Sequence, residues 1–298
     1  MRTKKPSLDH LVLPVRELPS AETRYEALGF QVAPRGEHPF GTFNACIYLA
    51  DGTFLEPLSV ADPARAKAAI AEGNVFVSHD ATFRTRVGDE GLSAVVLTTP
   101  DANADHSRFV DEGISCGAML RFARPFIGAE GQKAKAEFLL AFAQDRRAPD
   151  MLFFSCERVN APSVDRKSLT VHSNSVVGLR NIVMLAPEAH HFETFLKAVS
   201  LSSDISSDAR SLKLGLGDTH ICVCDPDALG EEFGIAKDKT SSDPTLQAVA
   251  VEFAVQDLEK TRKMLEENAI AFSRHRQMLV VPPAPGQGVY FLFSEKEI

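Results

Sequence analysis

His38-Pro-Phe-Gly-Thr-Phe-Asn-Ala-Cys-Ile-Tyr-Leu-Ala-Asp-Gly-Thr-Phe-Leu-Glu-Pro-Leu-Ser59 reads as two strands folded back on each other. Asn44 to Ala50 is rich in β-formers, Asp51-Gly52 is a dipeptide that tolerates the positive φ of a tight hairpin turn, and Thr53 to Leu58 runs back. Glu56 breaks the apolar character of the returning strand. A carboxylate there must face water or be held by a cation, because burying it unpaired is costly.

Outward from the hairpin, a simple grammar emerges. Leu8 to Val15 is a short apolar strand, and Leu18-Pro19-Ser20 starts a helix with Ser20 as N-cap. Tyr25, Leu28 and Phe30 give that helix an apolar stripe, and Gly29 is placed to end it. A strand is expected around Gln31 to Pro34 ahead of the hairpin, so the order is β-α-β-β-β. Pro63 to Glu72 is a helical spacer, followed by a loop through Gly88. The grammar then returns with strands at Leu92 to Thr99, Ser115 to Ile127, Ala134 to Ala143 and Met151 to Cys156, and again from Gly178 and from Leu246. A loosely kept period of about 80 residues marks repeated supersecondary units. The polar run Asn160 to Ser175, read as structureless, divides the four units into pairs.

One such unit cannot bury its sheet alone, so two should join into an open barrel with a cleft. The expected architecture is therefore α+β, with paired βαβββ units forming two tandem domains at residues 5–160 and 177–298. The length and 44% hydrophobic content suit two cores. A net charge of -8 and the lack of a Lys/Arg stripe exclude a nucleic-acid surface. Nor does any run of about 18 apolar residues offer a membrane span, so a cytoplasmic protein is expected. The five cysteines lack paired zinc or disulfide spacing and read as buried thiols.

Asp9-His10 before an apolar strand, Leu28-Gly29-Phe30 at the helix end, His38-Pro39, Gly41-Thr42, Asn44 and Leu55-Glu56 resemble the glyoxalase-like branch of the glyoxalase / bleomycin-resistance / extradiol dioxygenase superfamily, the vicinal oxygen chelate proteins. The resemblance is specific over residues 8 to 60. It implies a divalent metal (zinc, iron, manganese or nickel) held by a His on the first strand and a Glu on the last strand of one unit, with equivalent ligands from the partner unit. His10 and Glu56 match the first pair. Ala94 falls at the partner His position, with Phe153 or Phe154 at the partner Glu. Asn181 and Cys222 fall at those positions in the third unit, and Ala250 and Phe293 in the fourth. No metal is therefore implied in the second domain.

His38 is the nearest candidate third ligand and, with Glu56, a candidate catalytic group, although His-Pro followed by Gly-Thr can equally shape a loop. Asn44 can present its amide to a ligand or cap its own turn. Phe122 and Phe153 are candidate walls of a small-molecule cleft, with Phe126, Phe138, Phe142 and Phe154 as further aromatics and Arg121 and Arg124 between them. His220, Cys222 and Cys224 share a strand face, whereas His190 and His191, adjacent on a helix, should not form a joint site. Two functions fit. One is a lyase, isomerase or dioxygenase step on a small organic molecule, assisted by the metal. The other is metal-free sequestration of such a molecule, as the bleomycin-resistance resemblance implies. Exposed edge strands would also permit a homodimer.

Overall fold

The computed structural model describes residues 6–127, 133–160, 166–236 and 245–296. Its first sheet is built from β1 (Leu8–Pro14), β2 (Gly36–Glu37), β3 (Thr42–Asn44), β4 (Ile47–Tyr48), β5 (Phe54–Val60), β6 (Ala94–Thr98), β7 (Leu120–Ile127), β8 (Lys133–Ala143) and β9 (Leu152–Arg158). The order β2-β3-β5-β1-β6-β9-β8-β7 places β1 parallel to β5, β6 parallel to β9, and β1 antiparallel to β6. Each four-strand unit is thus joined to its partner through its first strand, and the joined sheet curls around a cleft. The second sheet repeats this plan with β10 (Val176–Leu185), β11 (Ile205–Ser207), β12 (Ser211–Leu216), β13 (Thr219–Cys224), β14 (Gln247–Val255), β15 (Ser273–His275), β16 (Met278–Val281) and β17 (Tyr290–Glu295). The fold is the α+β arrangement of paired βαβββ units that the sequence implies.

Side-chain parity divides each sheet between two cores. Leu11, Leu13, Leu55, Val95 and Phe153 point to the back of the first sheet, and Ile182, Val251, Phe253, Phe291 and Phe293 to the back of the second. Between these backs lie α1 (Leu18–Ala27), α4 (Ala102–Asp111), α5 (Glu193–Ser200) and α7 (Leu258–Glu267), whose Tyr25, Phe109, Leu196 and Leu265 complete one continuous core. On the front of the first sheet, Val12, Leu58, Val96, Phe142 and Phe154 meet α2 (Pro63–Ala71) and α3 (Val75–Arg86). The front of the second sheet is filled from α6 (Pro226–Phe233).

The β4–β5 hairpin turns at Asp51-Gly52, with Gly52 at φ +93°. Its outgoing strand is interrupted: β3 pairs with the far end of β5 and β4 with the near end, leaving Ala45 and Cys46 between. Asp51 ties the turn to the second sheet. Its N–H donates to the Val177 carbonyl, and its carboxylate accepts from the Leu179 N–H at 2.9 Å.

Four local expectations are corrected. No strand forms at Gln31 to Pro34; the pairing begins at Gly36. The loop after the spacer helix is instead α3, capped by Asn74, whose side chain accepts from the Val77 N–H. Helix α1 is preceded by Glu17 rather than capped by Ser20. The run Asn160 to Ser175 is not structureless where described, from residue 166. His172 accepts from the Gln31 N–H, Asn174 donates to the Leu28 carbonyl, and both are buried. Residues 161–165 lie outside the described residues.

Candidate active site

The cleft in front of the first sheet is lined by Asp9, His10, His38, Asn44 and Glu56 together with Phe40, Phe54, Phe76, Phe122, Phe138 and Phe154, and encloses about 60 Å³. It is an apolar cage around one polar chain. Strand β1 supplies His10, and β5, its parallel neighbour, supplies Glu56 two residues beyond the His10 partner Phe54. His10 Nε2 lies 3.2 Å from Glu56 Oε2. The imidazole stacks on Phe54 with 4.3 Å between centroids, which fixes its plane.

A register shift in β1 between Leu8 and His10 lets neighbouring residues contact each other where a regular strand would send them to opposite faces. Asp9 Oδ2 thus reaches His10 Nδ1 at 3.0 Å. The Arg158 guanidinium donates to both Asp9 oxygens, at 2.7 and 2.8 Å. On the other side, Asn44 Nδ2 donates to Glu56 Oε1 at 2.6 Å, and His38 Nε2 stands 3.6 Å from that same oxygen. His38 is steered by Thr42, 2.9 Å from Nδ1, and by a stacked Phe40.

The electrostatics follow from burial and pairing. Burial alone would raise the Glu56 pKa, but the hydrogen bond and charge of His10, with His38 and Asn44, bring it down to about 2. Burial alone would depress His10, yet Asp9 and Glu56 outweigh it and raise the imidazole above its ordinary value. Asp9 is held low by His10 and Arg158 against the opposing effect of its burial. His38 goes the other way: burial pushes it down to about 4, against the pull of Glu56, and the charges of Arg124 and His10 add to the depression. His38 is therefore neutral at neutral pH.

One feature of this chain constrains what occupies it. The Asp9 carboxylate needs a proton on His10 Nδ1, and the Glu56 carboxylate needs a donor at Nε2. A neutral imidazole satisfies only one of them. With both acids ionised, either His10 is an imidazolium or Nε2 and Glu56 would hold a cation. His10 Nε2 and Glu56 Oε2 are the atoms that would hold a divalent ion, and Asp9 would orient the His10 ring as a supporting carboxylate. His38 faces the other Glu56 oxygen, Oε1, at 3.6 Å, and the three residues do not form a cluster with all ligand atoms within 4.8 Å of one another. Partner ligands are missing: in the β6–β9 register Ala94 and Phe154 occupy the positions of His10 and Glu56.

Of the residues singled out in the sequence, His10, His38, Asn44, Glu56 and Phe122 come together here. Phe153 does not. It is on the back of β9, edge-on to Phe195 of α5, and its neighbour Phe154 faces the cleft instead. The same parity puts Leu292, rather than Phe293, at the fourth Glu-equivalent position. In the third unit Asn181 and Cys222 do meet, the thiol donating to the amide oxygen at 3.4 Å, while the Asn181 amide donates to buried Glu252. The side chain of Phe126 lies outside the described residues. His190 and His191 were expected to point apart, yet they sit in a 3-10 turn where, with Glu188, their ligand atoms cluster within 4.8 Å on the exposed surface. Among the described residues His220, Cys222 and Cys224 form no such cluster. Sequence reasoning missed Asp9 and Arg158 as members of the site; the acid beside His10 was the available signal.

Among the described residues no helix is long and apolar enough to cross a membrane. No curated protein matches the chain. Solved structures share its fold at low identity. A hypothetical protein from Staphylococcus aureus is 13% identical with a TM-score of 0.64, over 98% of this chain and 100% of that one. A mutant of 4-hydroxymandelate synthase from Streptomyces coelicolor is 12% identical with a TM-score of 0.61, over 99% and 95%. The Mn(II)-bound glyoxalase from Novosphingobium aromaticivorans is 9% identical with a TM-score of 0.55, over 99% and 84%. The family model of the glyoxalase-like domain matches residues 8–200, which include the whole first sheet and every residue of the polar chain. By this match, which spans more than half of the sequence, the chain belongs to the glyoxalase-like domain family.

Proposed function

We propose that the cleft of the first sheet acts on a small organic molecule, with His10 and Glu56 as the protein ligands of one divalent metal ion. The supporting observation is His10, set between two carboxylates at 3.0 and 3.2 Å in an apolar cage. As ionised carboxylates, its two neighbours are satisfied together by an imidazolium or by a cation held at Nε2. A Mn(II)-bound glyoxalase among the structural neighbours makes the second solution chemically reasonable. When bound, such an ion supplies Lewis acidity that polarises a carbonyl or enediolate oxygen.

The chain's own residues do the rest. Asp9, anchored by Arg158, holds the His10 ring and keeps Nδ1 protonated. Asn44 holds one Glu56 oxygen and leaves the other toward His10. His38, neutral and steered by Thr42, is the group able to accept or return a proton at Nε2. The phenylalanine walls exclude water and strengthen every charge interaction inside. An isomerase, lyase or dioxygenase step on a molecule with adjacent oxygens is compatible with this set. Metal-free sequestration is the second reading, favoured by Ala94 and Phe154 at the partner ligand positions; catalytic zinc usually has three protein ligands.

Elemental analysis of protein purified without chelator tests the choice. Near-stoichiometric metal in the native protein and its loss in a His10→Ala, Glu56→Ala variant are expected. Equal and negligible metal in both would leave the sequestration reading.

A further inference from the structure

Arg124 is the cation of the cleft that has no anion. It extends from β7 into the lining, its guanidinium 5.6 Å above the Phe138 ring. Among the described residues it makes no hydrogen bond or ion pair. The other arginines near the site are committed: Arg158 to Asp9, Arg121 to Glu137 at 2.7 Å, and Arg166 to the face of Tyr48 at 4.2 Å. Its position is also built. Across the mouth, on β2, a methyl at Gly36 would stand 2.6 Å from Arg124 Nη1 and 2.5 Å from Asn44 Oδ1, so a bare backbone gives the guanidinium its place beside Asn44. The two acids of this cleft are already engaged, Glu56 by His10 and Asn44 and Asp9 by His10 and Arg158.

We propose that Arg124 is the specificity residue of the cleft and recognises a carboxylate on a small aromatic acid. The proposal rests on the reading that the cleft takes a small organic molecule. A carboxylate matches the planar fork of one guanidinium, whereas a phosphate dianion would call for more donors than are free here. The ring of the acid would lie against Phe122, Phe138 and Phe40, which already stack or meet edge-on with one another. The unliganded cleft is small, so entry requires these rings to part. On a protein of net charge -8, a cation uncommitted among the described residues also selects against neutral analogues.

Isothermal titration with 3-phenylpropanoate and with its neutral amide, 3-phenylpropanamide, tests the proposal on the full chain. The acid should bind more tightly than the amide. Arg124→Gln should weaken the acid by roughly 10- to 100-fold, the loss of one charge-assisted pair, and leave the amide unchanged. Arg124→Lys should recover part of that loss, and Arg121→Gln, outside the cleft, should leave the acid affinity as in the native protein. Acid affinity that is equal in native protein and Arg124→Gln overturns the carboxylate assignment while leaving the cleft reading intact. Absence of binding by both compounds overturns the assignment for aromatic acids. If the acid binds but Phe122→Ala has no effect on it, the cleft reading itself fails.

Discussion

Glu56→Gln is the perturbation that most directly probes the polar chain. The carboxyl goes from an ordinary value of 4.5 to about 2 on folding. At about 1.4 kcal/mol for each tenfold change, the ionised form contributes roughly 3 kcal/mol of stability. Removing one member of a buried pair typically costs about 3–5 kcal/mol, because the other charge is left uncompensated, so two separate routes agree. The sign is that of a depressed acid: the contribution is complete above about pH 4.5 and is lost as pH falls toward 2. Urea unfolding at pH 7.5, with EDTA present so that no metal contributes, should show a stability loss of about 3 kcal/mol and a Tm lower by roughly 6–12 °C. The double variant His10→Gln, Glu56→Gln removes both charges and should recover at least half of this loss, since a neutral pair can still hydrogen-bond. Additive losses, or a Glu56→Gln protein as stable as the native one, would refute the coupling on which the site description rests.

Further outcomes follow from residues outside the polar chain. Buried His79, whose Nε2 donates to the Ser93 carbonyl at 3.1 Å, is pushed by burial down to about 4. The unfolded chain therefore takes up its proton first as pH drops from 6.5, and His79→Gln should lessen the stability lost between pH 7.5 and 5 by about 2 kcal/mol in urea titrations. Equal losses in both proteins would contradict this. Phe153→Ala should cost about 3–5 kcal/mol and leave ligand affinity unaltered, whereas Phe122→Ala should do the reverse; calorimetry and ligand titration separate the two. Asp51→Ala should destabilise by about 1 kcal/mol, because exposed hydrogen bonds are worth little. In a Gly178→Ala background, where the new methyl would press within 2.3 Å of Asp51 Oδ2, the same change should cost less. Additive effects in a double-mutant cycle would show that the two residues do not meet.

Much of the fold was legible because each unit carries its own punctuation. Asp51-Gly52 fixes a turn, alternation marks the strands, and the recurrence of both reveals the repeat. What failed did so for physical reasons. Val75-Phe-Val77 has strand-like composition, yet α3 forms there, capped by Asn74 and with Phe76 and Val77 buried against the front of the first sheet. His172 and Asn174 look like linker polarity, yet each finds a backbone partner and is buried with it. The candidate group was legible because His38, Asn44 and Glu56 lie within one quoted stretch and the resemblance over residues 8 to 60 pairs His10 with Glu56. Phe153 was misplaced by one residue of parity, which composition cannot set and only the β6–β9 register does. Arg124 was visible but undecidable, since whether an arginine finds an acid depends on which strands become neighbours.

The tie from Asp51 to the backbone of β10 gives the second sheet a part to play in a site that it does not line. It clamps the free end of the hairpin whose returning strand carries Glu56. The first half of the repeat presents the polar chain, and the second, with Asn181 and Cys222, and Ala250 and Leu292, at the equivalent positions, supports it from behind. On this view the second half works as an internal jig. Its own front face is filled with Val183, Leu229 and Leu292, so what reaches the first sheet from this half is support at the hairpin rather than a lining residue.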